Sequence, residues 1–356
     1  MIRLTWRQFR TQGAVASVLL VAVAILFIAT RGHVAHIYSV YHAAQNACIA
    51  NPNCPGAGVG LSKSVSLLEL IGTALVVVPA LIGAFWGAPL IAREFENGTH
   101  RLAWTQSVTR TRWLATKLAV VGLASIAATG LLSLLVTWWS SPIDTDRSDR
   151  FSAGMFGERN IAPLGYAAFA FALGVVAGVL IKRTLPAMFA TLFAFLATRI
   201  VFTLFVRQYL MSPARKFLGL DLSSVGYGTE NGGQPTLITN QPNIPGAWIY
   251  STHIVNKTTG QGLTAQIVKA TCPSVGLPNG APNPGPNTST RIRVPAGVQS
   301  ALQDCLTKIG ASYHQVVTYQ PANRYWTFQW YETAVFFAAA LALAGFSFWW
   351  IRRRAS

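Results

Sequence analysis

Residues 161–206 decide the fold: they read IAPLGYAAFAFALGVVAGVLI, then Lys182-Arg183-Thr184, then LPAMFATLFAFLATRIVFTLFV. Each apolar run matches the roughly 20 residues that an α-helix needs to cross a bilayer. The basic pair between them leaves room for only a tight turn. The stretch therefore predicts a transmembrane helical hairpin.

Further apolar runs of this length occur along the chain, and none is followed by a convincing small-residue cleavage site. We therefore expect the first run to be a retained helix rather than a signal peptide. In all, the sequence predicts six transmembrane helices, at 13–30, 67–92, 113–139, 161–181, 185–206 and 333–351.

Composition supports this fold class. Hydrophobic residues make up 52% of the 356 residues and charged residues only 11%, whereas soluble domains are nearer a quarter charged. The net charge of +17 would suggest nucleic acid in a soluble protein. Here the basic residues cluster at the ends of apolar runs, so we expect lipid and no nucleic-acid partner.

The basic residues also predict the orientation, because cytoplasmic loops are enriched in Lys and Arg. They cluster at the N-terminus, in the loop after the second span, at Lys182-Arg183 and at Arg352-Arg353-Arg354. These places alternate correctly if both termini are cytoplasmic. The loops on the opposite side hold every cysteine and most Asp residues, which supports the same orientation.

The cysteines are expected to form disulfides if their loops face outward. Four cysteines allow three pairings, and the sequence does not choose between them. The simplest arrangement pairs Cys48 with Cys54 and Cys272 with Cys305.

Three regions follow from this topology. Residues 1–206 would hold an N-terminal interfacial helix and the first five spans, residues 207–331 a small mixed α/β extracytoplasmic domain, and residues 332–356 the sixth span with a basic cytoplasmic tail. Within the middle region, 297–310 has helical periodicity, and 248–255 and 314–319 are typical of strands.

The N-terminus has two interpretations. Aromatic and apolar residues recur at helical spacing, and each is followed by an arginine. This pattern is typical of a helix lying at the membrane surface. The alternative is an ordinary basic flank of the first span. The residues concerned are Ile2, Trp6 and Phe9, with Arg3, Arg7 and Arg10.

Charged residues within lipid are candidates for function. Glu69 and Arg199 lie at comparable depth in the second and fifth spans, so an intramembrane ion pair between them is one interpretation. The others are a substrate contact and an Arg199 that extends to the interface. Glu332, at the outer edge of span six, is expected to be interfacial. Gly174 and Gly178 form a motif that allows close helix packing.

The loop after the second span has the pattern of a docking segment. Asn97-Gly98 is a turn signal that ends a helix, and Thr99 is a plausible N-cap for a short helix to about Thr105. Thr109 would cap the next span. A short helix that exposes Leu102 and Trp104 to the cytoplasm is expected to have a partner; a solvated charged turn is the alternative.

At this loop the sequence resembles the type-2 ATP-binding-cassette (ABC) permeases. The match comprises Arg93-Glu94, Glu96, Gly98-Thr99, Leu102 and Thr109-Arg110, with Lys117 following. Longer strings resemble an actinobacterial branch of that family, among them Trp86-Gly87-Ala88-Pro89-Leu90, residues 100–107 and Arg183-Thr184-Leu185-Pro186. Together these strings span nearly the whole chain.

The resemblance implies six spans, a coupling helix near 99–105 and a permease subunit in a bacterial plasma membrane. It also implies two permease subunits, which we expect to be a homodimer, with two copies of a cytoplasmic ATPase that carries ATP and Mg. The ATPase-coupling residues would be Glu94, Glu96, Gly98, Thr99, Arg101, Leu102 and Trp104.

The chain shows no phosphate-binding loop, no nucleophile motif and no metal site, since His33 and His36 are only two candidate ligands. We therefore expect no enzymatic activity, catalytic residue or cofactor in this chain. The predicted function is an exporter of an amphipathic or lipid-like compound. The alternatives are a membrane-anchored sensor or assembly factor with an extracytoplasmic ligand-binding domain, and a secondary transporter, which the lack of an inverted repeat disfavours.

Overall fold

A computed structural model describes residues 2–50, 77–98, 109–141, 151, 156–220, 225–230, 234–239, 241–242, 244–272 and 296–354. The chain divides into two compact units. The first, here called the helical unit, comprises Met1–Met211 with Arg324–Ser356, and the second, the sheet unit, comprises Ser212–Asn323.

Helices and strands follow one another in a simple order. The helical unit begins with α1 (Ile2–Ala50), α2 (Val78–Ile82), a π-helical turn (Gly83–Gly87), α3 (Ala88–Glu96), α4 (Arg110–Ser140), α5 (Ala162–Ile181) and α6 (Thr184–Val201). A second π-helical turn (Phe202–Val206) and a 3₁₀ turn (Arg207–Tyr209) follow. The sheet unit then holds β1 (Ala214–Leu218), β2 (Val225–Glu230), β3 (Gln234–Thr239), β4 (Trp248–Asn256), α7 (Ala265–Thr271), α8 (Ala296–Ser312) and β5 (Tyr313–Gln320), before the last helix, α9 (Tyr325–Arg354), returns to the helical unit.

Five helices among the described residues are long and apolar enough to cross a membrane. They correspond to the predicted spans one, three, four, five and six: Phe9–Ile37, Arg110–Ser140, Ala162–Ile181, Thr184–Tyr209 and Ala322–Arg353. The first part of the predicted second span lies outside the described residues. The count of six spans and the cytoplasmic termini stay predictions.

Helix α1 is continuous over 49 residues, about 74 Å at 1.5 Å per residue. It is therefore longer than the roughly 30 Å hydrocarbon core that it is expected to cross. The segment predicted to be interfacial is its first part, with no break before the apolar run. Phe9, one of the apolar residues of the predicted interfacial helix, is buried at 5% exposure. The centre of its ring lies 4.8 Å from that of the Trp86 ring, and the two rings are nearly perpendicular.

Helix α5 is the central helix. In its most apolar stretch of 18 residues, 72% of the residues are buried, against 6% in the corresponding stretch of α1. Its small residues allow the backbone of the second span to approach closely. A Cβ built on Gly174 would lie 2.3 Å from the carbonyl oxygen of Gly83, and one on Gly178 2.7 Å from that of Ala88. The close packing predicted for Gly174 and Gly178 is confirmed, because only glycine fits at these contacts.

The predicted ends of the helices are also confirmed. Helix α3 ends at Glu96 and is capped by Asn97, and Gly98 follows with φ of +70°, a conformation that favours glycine. Thr109 caps α4, with its hydroxyl accepting from the Arg112 amide at 3.3 Å. Lys182 adopts the left-handed conformation in the tight turn between α5 and α6. The predicted short helix at 99–105 lies outside the described residues.

The sheet unit is built on an antiparallel three-stranded sheet in the order β1-β5-β4, with β2 and β3 paired separately. Strands β4 and β5 and helix α8 occur where the sequence predicts them. Cys272 and Cys305 form a disulfide with a Cα–Cα distance of 5.5 Å, packed beside the buried Ile309. This confirms one predicted pair; Cys54 of the other lies outside the described residues.

Candidate functional site

The first candidate site in the helical unit is centred on Glu332, whose side chain has no exposed surface. Arg207 donates to both carboxylate oxygens, from Nε to Oε2 at 2.9 Å and from Nη2 to Oε1 at 3.0 Å. Arg199 donates from Nη1 to Oε1 at 3.0 Å, and the Tyr166 hydroxyl donates to the same oxygen. One carboxylate of α9 therefore binds α5, α6 and the turn that follows α6.

The π-helical turn Phe202–Val206 brings both arginines to this carboxylate. In an unbroken α-helix, Arg207 would lie about 80° around the axis from Arg199, because eight residues exceed two turns. A π turn holds about one residue more than an α turn. With one residue taken up by the wider turn, the eight residue steps from Arg199 to Arg207 rotate about the axis as about seven would. The angle between the two arginines therefore falls to about 20°.

Aromatic rings surround the two guanidinium groups. Arg199 lies over the Tyr166 ring at 4.0 Å and Arg207 over the Phe156 ring at 4.4 Å. Such cation–π contacts stabilise a cation that has lost its water. The backbone of Gly157 approaches so closely that a Cβ there would lie 1.9 Å from Nη2 of Arg199.

Gln329, one turn before Glu332 on α9, ties the same elements together. Its Oε1 accepts from the Ala162 amide at 2.9 Å, at the start of α5. Its Nε2 donates to the Phe156 carbonyl at 3.0 Å. The amide of Ala162 opens α5 and has no partner within that helix, so the fully buried Gln329 side chain is well suited to satisfy it.

This site corrects one sequence-based expectation. Glu332 was expected to be interfacial and is instead fully buried. Arg199 binds Glu332; its predicted pairing with Glu69 stays a prediction, because Glu69 lies outside the described residues. Arg207 was not singled out, because it follows the apolar run and resembles an ordinary flanking charge. Arg207 lies on the same side of the helix as Arg199 because of a π turn, which the sequence pattern does not reveal.

The second candidate site lies at the edge of the loop 99–108. Lys117 on α4 is 2% exposed, donates to a carboxylate oxygen of Glu94 and to the Leu90 carbonyl at 3.3 Å. Its ammonium group also lies 4.9 Å from the centre of the Trp113 ring. An ammonium this deeply buried requires such a partner, so the pair fixes the end of α3 against α4.

Glu96 joins the same end of α3 to α6. Its carboxylate accepts from the Thr184 hydroxyl at 2.6 Å and from the Thr184 amide at 3.1 Å, at the first residue of α6. The hydrogen bond from the Thr184 side chain, then that from its amide, lowers the pKa of Glu96, and Arg183 and Arg93 act in the same direction. A carboxylate at a helix N-terminus is also stabilised by the helix dipole.

The predicted coupling residues thus fall into two groups. Glu94 and Glu96, predicted to couple to the ATPase, bind Lys117 and Thr184 of this chain, and Gly98 forms the turn after α3. The other predicted residues, Thr99, Arg101, Leu102 and Trp104, lie outside the described residues. Lys117 entered the sequence argument only as part of the resemblance; its position inside an apolar span was the signal that it is paired.

In the described part of the chain, no group of three or more His, Cys, Asp and Glu side chains could hold a metal ion. The ion pairs of the buried Lys117, Arg199 and Arg207 side chains join helices within an apolar bundle, as in a polytopic membrane protein. A family model described as "ABC-2 membrane transporter related" matches residues 17–207. Because this is more than half of the 356 residues, the chain belongs to that family. Comparisons with curated proteins and with solved structures gave no match.

Membership confirms the resemblance at the level of the ABC-2 permeases and implies a membrane context and an ATPase partner. The matched range ends at the residue Arg207, so the sheet unit lies beyond it.

Proposed function

We propose that this chain is the transmembrane permease subunit of an ATP-driven exporter that moves an amphipathic or lipid-like compound outward. It would work as a homodimer with two copies of a cytoplasmic ATPase, which carries ATP and Mg, in a bacterial plasma membrane. The observation that supports this proposal is the pair of contacts, Glu94 with Lys117 and Glu96 with Thr184, at the edge of the loop 99–108.

These contacts give the loop a mechanical connection to the spans. A force applied to the loop by an ATPase would reach α4 through the partly buried Glu94–Lys117 pair. It would reach α6 through Glu96, which is bonded to the first residue of that helix. Helix α3 also packs directly on α5 at Gly178, so three membrane helices respond to one segment.

The Glu332 site has a complementary role in this proposal. It joins α5, α6 and α9 through hydrogen bonds that are all buried. These three helices would therefore move as one body when the loop is displaced. The cargo is expected to be apolar in part, because the walls of the bundle carry few charges.

Lys117→Met tests the connection. The permease is purified with its ATPase in lipid nanodiscs and proteoliposomes, and both ATP hydrolysis and transport are measured. We expect the variant to retain basal ATP hydrolysis but to lose most of its transport per ATP, because α4 is no longer tied to α3. Lys308→Met, an exposed lysine of α8, is the matched control and should couple normally.

Two further results bear on the proposal. Leu102→Ala with Trp104→Ala should uncouple the complex in the same way if these side chains dock on the ATPase. Unchanged coupling in both variants would reject the role of this loop. A complex that binds an extracytoplasmic ligand without any stimulation of ATP hydrolysis would favour the sensor, for which the separate sheet unit is the supporting observation.

A further inference from the structure

A small cavity in the helical unit is lined by two residues that each carry a buried polar atom without a hydrogen-bond partner. The cavity has a volume of about 10 Å³ for the centre of a water molecule, enough for about one water. The lining residues are Glu158 and Thr129, and the atoms are Oε1 of Glu158 and Oγ1 of Thr129. Their side chains are 6% and 3% exposed.

The Thr129 hydroxyl differs from its neighbours on α4. Buried and half-buried hydroxyls of this helix, those of Ser125, Thr137 and Ser140, donate to the carbonyl four residues earlier. Thr129 Oγ1 makes no such bond. Since a buried hydroxyl without a hydrogen-bond partner destabilises the fold, a ligand in the cavity is the simplest partner for it.

The segment that carries Glu158 is anchored on the same helix. Ser133 donates to the Asn160 carbonyl at 2.8 Å, and the Thr137 hydroxyl accepts from the Asn160 amide at 3.2 Å. Asn160 itself has φ of 60°, which these two bonds hold. Glu158 is therefore positioned two residues from a fixed point, facing the cavity.

We propose that Glu158, Thr129 and the cavity between them form a proton-binding site, in which one water molecule bridges the carboxyl group and the hydroxyl. A protonated Glu158 donates to this water, and the water in turn hydrogen-bonds to Thr129 Oγ1. On deprotonation the carboxyl proton is released to solvent, and the water then donates to the carboxylate. With this water, both protein atoms have a hydrogen-bond partner in each protonation state.

The charges around the site select a proton over a metal cation. Among the described residues, α2, α4 and α5 place no charged side chain at the cavity wall. The charged groups that act on Glu158 are Arg159, its neighbour, and Arg199 of α6. Two cations repel a metal ion, and one carboxylate with one hydroxyl is too small a ligand set. A proton neutralises the carboxylate instead.

The acid–base balance of Glu158 agrees with this assignment. Burial raises the pKa of the Glu158 carboxyl to about 8, against the opposing effects of Arg159 and Arg199. At neutral pH the group is then mostly protonated.

Loss of the proton puts a negative charge near Arg199, whose Nε is buried without a hydrogen-bond partner, although its Nη1 is bound to Glu332. The site is thus coupled electrostatically to the Glu332 network.

The test uses the full chain in lipid nanodiscs and pH-difference infrared spectroscopy, with isotope-labelled glutamate to identify glutamic acid bands. We expect one protonated glutamate band that titrates at pH about 8 and is absent in Glu158→Gln. Thr129→Val should shift the frequency and midpoint of this band, because it removes one end of the water bridge. Thr198→Val, an exposed threonine on α6, should leave both unchanged.

A second measurement is independent of the band assignment. The folded chain holds the Glu158 proton more tightly than the unfolded chain, whose pKa is near 4.5. The free energy of unfolding should therefore fall as pH rises from 4.5 to about 8, because in this range the folded chain binds the proton and the unfolded chain does not. Thermal unfolding of Glu158→Gln should lack this dependence on pH. A glutamate that titrates in the ordinary carboxyl range, or a Thr129→Val spectrum identical to that of the unaltered chain, would overturn the proposal. Neither measurement needs an ATPase, so the result is separate from the transport function.

Discussion

Glu332 illustrates why single residues matter in this bundle. It is the shared acceptor for Arg199, Arg207 and Tyr166, all of them buried. Breaking a buried ion pair by removing one partner costs about 3–5 kcal/mol, because the remaining charge stays buried. Replacing the whole group by apolar residues costs far less.

Glu332→Gln should therefore destabilise the chain by about 3 kcal/mol or more. Thermal unfolding followed by fluorescence in detergent measures this loss. The combined variant Glu332→Met, Arg199→Met and Arg207→Met is the matched control and should recover most of the stability. If Glu332→Gln were as stable as the unaltered chain, the carboxylate would not be the centre of the network.

The same residues show what the sequence can establish at this scale. Charge inside an apolar run marked Arg199 as a residue in need of a partner. The choice of partner could not be predicted, because α9 is separated from α6 by more than a hundred residues and pairing depends on their packing. In the sequence, Glu332 follows two aromatic residues of the kind that lie at membrane interfaces, Trp330 and Tyr331. In the structure Trp330 is 63% exposed, whereas Glu332 is buried.

At the scale of elements, helix packing depends on a few contacts that admit no side chain. Gly174 on α5 would place a Cβ 2.3 Å from the Gly83 carbonyl oxygen and 2.8 Å from the Ala88 amide. Both are backbone atoms, so they cannot move without shifting the second span. The motif with Gly178 made this contact predictable, because its spacing puts both glycines on one helix face.

Gly174→Leu should separate α5 from the second span and reduce the yield of folded protein severalfold. The matched control is Gly345→Ala on α9, where a Cβ meets nothing within 4 Å. That control should be neutral, or stabilise by about 0.5–1 kcal/mol because alanine favours helix. Size-exclusion chromatography with a fluorescent fusion compares the two yields, and equal yields would contradict the contact.

The π turns mark the limit of sequence patterns for elements. Gly83–Gly87 and Phe202–Val206 both lie within runs that periodicity predicts as plain helix. The extra residue in the second turn is stabilised by tertiary contacts of Arg207, which no local pattern encodes. The helices, caps and tight turn were predictable because they depend on neighbours in sequence; the phase of Arg207 depends on distant ones.

At the scale of the whole molecule, the two units obey different physical rules. The helical unit exposes apolar side chains such as Phe193, at 78%, and Leu341, at 72%, which are expected to face lipid. The sheet unit has a small core around Ile254 and Leu306 and a disulfide, which stabilises such a small domain by about 2–4 kcal/mol. A disulfide persists in an oxidising compartment, so the sheet unit belongs outside the cytoplasm if the orientation is as predicted.

Cysteine labelling in intact cells tests that orientation, in a background where Cys48 and Cys54 are replaced by serine. Lys216→Cys, on the exposed edge of β1, should react with a membrane-impermeant maleimide added outside. Asn97→Cys, at the end of α3, should react only after the membrane is permeabilised. Both positions are exposed in the structure, so a difference in labelling reports the side of the membrane and not burial. The reverse pattern would put the loop 99–108 outside the cell, where no ATPase could act on it, and the contacts of Glu94 and Glu96 would then serve packing alone.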